Sequence, residues 1–207
     1  MTFEIELVDV NGMPIALRGL RRPMNRGTPK NGVPKDESFG TPCVEDLRLM
    51  RSLVIKGDDH AKFARMLRAD VTIRAPRYWW QEMATYRIGV ETLSESTMHW
   101  KLSEPFERED FEDESRHNCG LGLEELNKAR SYAAKGEVPL MYLKQEIPES
   151  FLQTRDLAIS YQTLRHIYFA REGHKLPHWQ VFRGFIETLP WAEDCITPMR
   201  GVTVVRG

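Results

Sequence analysis

The apolar positions change period several times along the chain, and each change marks an element. Phe3-Glu4-Ile5-Glu6-Leu7 alternates apolar and polar residues with period two, as a half-buried strand does. Val44, Leu47, Met50, Leu53 and Val54 recur at helical spacing and predict an amphipathic helix ending near Gly57. Phe63, Met66 and Leu67 suggest a second, short helix after Asp59. Asp70 to Arg74 alternates again as a strand, and Pro76 suits the first turn of whatever follows it. Leu123, Leu126 and Ala129 begin another helix, closed by Gly136. Leu157, Tyr161, Leu164, Ile167 and Tyr168 form one stripe that predicts a long helix, and Arg171 continues that stripe by a further turn. An arginine at the end of a buried face needs a partner or a water-lined cleft. Trp179, Phe182, Ile186 and Leu189 make the last helix, stopped by Pro190.

Helices with a few strands, not in strict alternation, predict an α+β fold. Its 207 residues fit a single domain, 1–207. Two stretches interrupt the pattern. A basic, Gly/Pro-rich loop at about 19–42 carries Arg21, Arg22, Arg26, Lys30 and Lys35, either as spare solvated charge or as a phosphate or nucleic-acid contact. Glu104 to Arg116 lies in an acidic connection at about 104–118, with little periodicity, and reads as exposed.

Composition narrows the setting more than the chemistry. The chain is 41% hydrophobic and 29% charged, ordinary for a protein with a real core. A formal net charge of -1 gives no global attraction to nucleic acid or anionic membrane. No apolar run approaches the roughly 20 residues that span a bilayer. Met1-Thr2-Phe3-Glu4-Ile5-Glu6 is acidic where a secretory signal is basic and then apolar, so the expectation is a cytoplasmic protein. Cys43, Cys119 and Cys195 are scattered, with no C-x-x-C spacing, and read as reduced thiols.

Two segments stand out as candidate chemistry. In Ala75-Pro76-Arg77-Tyr78-Trp79-Trp80-Gln81-Glu82-Met83-Ala84-Thr85-Tyr86-Arg87-Ile88-Gly89, aromatic rings that suit a planar ligand lie close to arginines that suit phosphate or carboxylate. A Trp-rich core helix with surface ion pairs explains the same residues. In Glu91-Thr92-Leu93-Ser94-Glu95-Ser96-Thr97-Met98-His99, hydroxyls gather beside a possible helix start, which is either an anion site or an ordinary N-cap. The glycine spacing of a P-loop or a dinucleotide fingerprint is missing, as are G-x-S-x-G and H-E-x-x-H.

A strand ending in Ala-Pro, a helix reaching an R-H-R-type triplet and then serines resembles the signature of flavin-dependent thymidylate synthases, R-H-R-x-x-S-x-N-x-x-S-x-R. Here the triplet is Thr85-Tyr86-Arg87, with its final arginine matching, and Ser94 takes the serine position if one residue is deleted. The signature's last arginine, near Ser96 or Thr97, is missing. Further on, Leu143-Lys144-Gln145-Glu146-Ile147-Pro148 resembles the family's A-R-x-x-L-P, and Ala170-Arg171-Glu172-Gly173-His174 with Trp179 resembles its L-R-x-x-x-H-A-Q-W-E. Gly57-Asp58-Asp59-His60-Ala61-Lys62-Phe63 is loosely similar to the upstream G-H-x-S-P-F-E-H. The likeness spans roughly Val44 to Trp191 and is nearest to a short branch often found in phages.

The resemblance implies a small, mainly antiparallel sheet packed with several helices, in homotetramers whose active sites form between subunits. It implies FAD as cofactor, NADPH and methylenetetrahydrofolate as co-substrates, and dUMP, or a related pyrimidine nucleotide, methylated to dTMP or a hydroxymethyl analogue. Membrane and nucleic-acid partners are not implied. Arg171 matches the arginine that contacts the uracil ring and promotes ionisation of its N3. Lys144 stands where an arginine meets the nucleotide, Glu82 where a glutamine does, and Arg87 matches the triplet arginine that meets the flavin. Tyr86 replaces the triplet histidine, Ser160 and His166 replace flavin-contacting asparagines, and His60 lies in the upstream cofactor stretch. Ser94, Ser96 and Thr97 are hydroxyls for phosphate in place of the missing arginine. His174 and His99 read equally as ligand contacts or as surface or core histidines. Glu82, Tyr86 and the missing arginine motivate a second reading, a non-catalytic or altered-specificity homologue, and the basic loop motivates a third, nucleic-acid binding.

Overall fold

The computed structural model describes residues 2–24, 40–96, 103–112 and 122–199. The helices and strands follow the order β1 (Glu4–Asn11), α1 (Met13–Arg21), α2 (Val44–Lys56), β2 (Arg68–Pro76), α3 (Arg77–Met83), β3 (Val90–Ser94), α4 (Leu123–Ala134), α5 (Leu140–Glu146), β4 (Leu152–Ser160), α6 (Tyr161–Ala170), α7 (Pro177–Thr188) and α8 (Ala192–Cys195). The antiparallel sheet has the order β1-β2-β4-β3. The described residues fall into two compact units, one drawn from 1–6, 72–86 and 92–156, the other from 7–71, 87–91 and 157–207.

The first unit closes around aromatic rings. Phe106, Phe111 and Phe151 meet edge-on or tilted at 5.8–6.0 Å, with Leu126, Leu143 and Ile147 packed beside them. Asn127 fastens this cluster by accepting the Phe106 N–H at 2.7 Å and donating to its carbonyl at 3.0 Å. The acidic connection is therefore not simply exposed. Phe106, Phe111 and Glu112 are buried, because two phenylalanines outweigh the charges around them, while residues 113–121 lie outside the described residues.

The second unit packs α1, α2, α6, α7 and α8 on a core that includes Leu17, Met50, Val54, Tyr161, Leu164, Trp179, Phe182 and Ile186. The basic loop begins later than its composition predicts. Gly19 and Arg21 belong to α1, whose buried Met13, Ala16, Leu17 and Leu20 supply a helical face, and the span 25–39 lies outside the described residues. Arg21 is structural rather than spare. Its Nε donates to Asp46 Oδ1 at 2.9 Å and its Nη2 pairs with the other oxygen, while Asp46 also accepts the Cys43 N–H at 3.0 Å and so caps α2.

Three further expectations shift. Leu157 lies on β4, not on the long helix, which begins only at Tyr161. The hydroxyl-rich stretch runs into strand β3 instead of a helix start. After the Trp179 helix comes α8, which Trp191 makes possible by adopting a left-handed φ of 56°. The helix over Val44–Lys56, the turn of helix at Lys62–Arg65 and the helix from Leu123 fall where the spacing predicts.

The junction of β4 and α6 positions much of the second unit. Ser160 ends the strand and caps the helix, its Oγ accepting the Thr163 N–H at 3.2 Å. The Thr163 hydroxyl donates to the Ile88 carbonyl at 2.6 Å, so it accepts from Ser160 Oγ at 2.9 Å, and the Ser160 N–H donates to the Gly89 carbonyl at 2.8 Å. The Ile88-Gly89 turn is thereby tied down, and Arg87 with it. Gly89 has φ +71°, and a Cβ there would meet Ser160 Oγ at 2.5 Å.

Two outcomes follow for stability. Gly89→Ala should cost about 1–3 kcal/mol in urea unfolding, since it combines a strained φ with a clash against a buried hydroxyl. The second concerns acid. Hydrogen bonding to Arg21, above all, holds the Asp46 carboxyl down to about 2. Its folded value lies below its unfolded one, so its contribution is complete above about pH 4 and is lost as pH falls further. Asp46→Asn should lower stability at neutral pH by about 2 kcal/mol and flatten the acid limb of a stability profile between about pH 4 and 2.

Candidate functional site

Arg171 occupies the C-cap of α6, where its backbone N–H still reaches the Ile167 carbonyl at 2.9 Å. That places its side chain beyond the helix stripe and against the start of α7. The guanidinium lies over the Trp179 ring, 4.2 Å from the centroid, and Nη1 is 3.0 Å from His174 Nε2. His174 Nδ1 meanwhile faces the Leu176 N–H at 3.2 Å. The two contacts meet different ring nitrogens, so the tautomer decides which of them His174 accepts. Gln180 donates to the Arg171 carbonyl at 3.1 Å and fixes the backbone from the other side. The result is a half-buried guanidinium over an aromatic face, with His174 and Gln180 against it.

At the other end of the same helix sits Arg87, exposed, directly before the tied Ile88-Gly89 turn. The ten residues of α6, about 15 Å of helix at the usual rise, lead from Ser160 beside this turn to Arg171. His166 lies between them on α6, with its residue surface exposed. Ser160 is 6% exposed and spends its hydroxyl within the helix start, so it steadies the Arg87 turn from beneath. His60 is exposed in the turn after α2, where its N–H donates to the Gly57 carbonyl at 3.0 Å.

The remaining candidates among the described residues belong to the first unit. Glu82 and Tyr86 are half-buried, Glu82 on α3 and Tyr86 just beyond it. Trp79 and Trp80, on that same helix, are core residues, meeting at 4.9 Å with Phe3 also against Trp79, so the Trp-rich core accounts for both rings. Ser94 ends β3 and Ser96 follows it, both exposed. Lys144 is exposed in the last turn of α5, where a cation also suits the helix dipole. Thr97 and His99 lie outside the described residues, as does Cys119.

The other two cysteines differ in setting. Burial pushes the Cys195 thiol up to about 12, and its Sγ rests 3.8 Å from Met50 Sδ, so it stays a thiol at neutral pH. Cys43 is exposed. No group of three or more His, Cys, Asp or Glu suited to a metal ion occurs among the described residues, and no helix among them is long and apolar enough to cross a membrane. Sequence reasoning missed Arg155, because it missed β4. The signal was present in Leu152-Gln153-Thr154-Arg155, but the apolar spacing further on drew the segment into a helix.

No protein-family model matches the sequence, and no curated protein matches it. Solved structures do. The flavin-dependent thymidylate synthase ThyX from Helicobacter pylori, complexed with FAD and dUMP, superposes with a TM-score of 0.67 at 16% identity, over 94% of this chain and 100% of its own. A second structure of that enzyme with FAD and dUMP gives 0.69 at 16% identity, over 94% and 99%. With the α+β architecture and the antiparallel sheet already in place, the fold of this chain is that of the flavin-dependent thymidylate synthases.

Proposed function

We propose that this protein is a flavin-dependent thymidylate synthase-like enzyme that methylates dUMP to dTMP, with FAD as cofactor and NADPH and methylenetetrahydrofolate as co-substrates. The observation that carries the reading is Arg171, a half-buried guanidinium braced on Trp179 in a fold whose solved examples hold FAD and dUMP.

Arg171 acts on the nucleotide. A fixed positive charge beside the uracil stabilises the electron-rich, N3-ionised ring and so favours attack through C5. The Trp179 ring and His174 hold the guanidinium in place, so little reorganisation is needed as charge develops. Lys144 adds a point charge for the nucleotide, and Ser94, Ser96 and Thr97 offer hydroxyls to its phosphate. Glu82, where the family has a nucleotide-binding glutamine, disfavours a phosphate near it.

The residues present fit a flavin in part. Arg87 is exposed and anchored, as a pyrophosphate partner needs to be, and the neighbouring Tyr86 offers a ring for stacking. His166 and His60 are exposed and available to the same cofactor, whereas Ser160 serves it through the Arg87 turn. When bound, the flavin supplies the hydride and redox chemistry of the reaction. Arg87 and Arg171 stand at opposite ends of α6, which favours a site completed by another copy of the chain, as in a homotetramer. Exposed Ile88 and Leu93 give that assembly apolar contacts.

Absorbance tests the whole reading. The purified protein, or the protein given FAD, should show a flavin spectrum that shifts on adding dUMP. Arg171→Lys should keep the bound flavin and lower NADPH-driven dTMP formation by about a hundredfold or more, since lysine keeps charge but loses the planar fork. Colourless protein that takes up no FAD defeats the assignment. FAD and dUMP binding with no turnover points instead to the non-catalytic homologue that Glu82 and Tyr86 favour.

A further inference from the structure

One cation in the first unit has no carboxylate partner among the described residues. Arg155 lies in the middle of β4, half-buried, with its guanidinium 4.5 Å from the centroid of the Trp80 ring. Its Nε and Nη2 both donate to Gln153 Oε1, at 3.2 and 2.8 Å. Among the described residues it makes no ion pair, and burial alone draws its guanidinium below the usual arginine range. The other arginines stacked on rings have different commitments. Arg165 donates to the Ile196 carbonyl, and Arg183 is tied to Tyr168 O, Gln180 and Glu172. Among the described residues, both hydrogens of Arg155 Nη1 are left for solvent or a ligand.

The sheet decides what faces this cation. The Glu95 N–H donates to the Thr154 carbonyl at 3.3 Å, and the Ser160 N–H to the Gly89 carbonyl at 2.8 Å. Both bonds fit one antiparallel register, in which Ser94 stands directly opposite Arg155 and Ser96 opposite Gln153. Ser94 and Arg155 form a pair without mutual backbone bonds, the kind that brings Cα atoms to about 4.5 Å and side chains closest. On the other side, the Arg77 N–H bond to the Phe151 carbonyl and the Thr72–Asp156 side-chain bond set Ile73 opposite Arg155. Ile73 is fully buried, so in the sheet Arg155 stands between an apolar residue and an exposed serine. Gln153 is itself held, its carbonyl accepting the Trp80 Nε1–H at 2.9 Å and its amide donating to the Glu95 carbonyl at 3.3 Å.

We infer that Arg155, oriented by Trp80 and Gln153 and flanked by the Ser94 hydroxyl, is the arginine that receives the phosphate monoester of the nucleotide. The inference rests on the nucleotide reading above for the identity of the ligand, but not for the anion chemistry. A guanidinium that is partly desolvated without a counter-ion gains most from a ligand that brings negative charge and two acceptor oxygens. The serine adds a neutral donor that suits a third oxygen.

Arg155→Met tests it, since methionine keeps a long side chain on Trp80 while removing the charge. Three titrations, with inorganic phosphate, dUMP and deoxyuridine, are followed by calorimetry at constant ionic strength, with thermal unfolding in phosphate against chloride alongside. Wild type should bind dUMP more tightly than deoxyuridine and should be stabilised by phosphate. Arg155→Met should fold, lose the phosphate-dependent rise in Tm, and weaken dUMP by about tenfold to a hundredfold with deoxyuridine unchanged. Arg155→Lys should fall between them. Phosphate binding that depends on Arg155 without any dUMP binding keeps the anion site and removes the nucleotide reading. Equal dUMP binding by wild type and Arg155→Met does the reverse and overturns the assignment. Wild type that binds no phosphate and is not stabilised by it overturns it too.

Discussion

Ser160 is at once the last residue of β4 and the N-cap of α6, and no loop intervenes between strand and helix. Because β4 lies between β2 and β3, the direction in which the chain leaves the sheet is set by one buried hydroxyl and the groups it pairs. The same hydroxyl network holds the Ile88-Gly89 turn. One arginine thus inherits its position from the start of α6 and another from its end. An unsatisfied hydroxyl here would be costly, since Ser160 and Thr163 are both buried, so the network resists rearrangement.

Arginines on aromatic rings recur: Arg155 on Trp80, Arg165 on Phe169, Arg171 on Trp179 and Arg183 on Tyr168. Stacking spares the planar face of a guanidinium from water while leaving its edge donors directed outward. What differs is the use of those edges. Arg165 and Arg183 spend them on the chain itself, through Ile196 and through Gln180, Glu172 and the Tyr168 carbonyl. Arg155 spends only part of its edge, on a neutral amide. A near-neutral net charge says nothing of this, because recognition depends on where a cation is held and what surrounds it.

The sequence made α2 legible because one face of it is buried and the other is not, so its period survives in the residue order. It hid β4 for the opposite reason. Leu157 is buried in the strand and Tyr161, Leu164 and Ile167 in the helix, and their combined spacing imitates a single helical stripe. β3 was hidden because its residues are mostly exposed and hydroxyl-rich, a composition shared by helix starts and edge strands. The helix α1 was obscured by bases and glycines, though Met13, Ala16, Leu17 and Leu20 carried the period.

The same division explains the site. Arg171 could be located from local spacing, since it follows a helix whose stripe reaches almost to it, and the structure sets it on Trp179 as a half-buried group. Arg155 could not, because its environment is made by Ser94, Ile73 and Trp80, which lie far from it in sequence and meet it only through strand register and the packing of α3. A one-residue slip of β4 would send Arg155 to the other face and bring Thr154 or Asp156 in its place. Asp156 is instead engaged with Thr72 on that other face, which helps fix the register that leaves the guanidinium beside the serine. The chemistry of this surface is therefore a property of the sheet before it is a property of any motif.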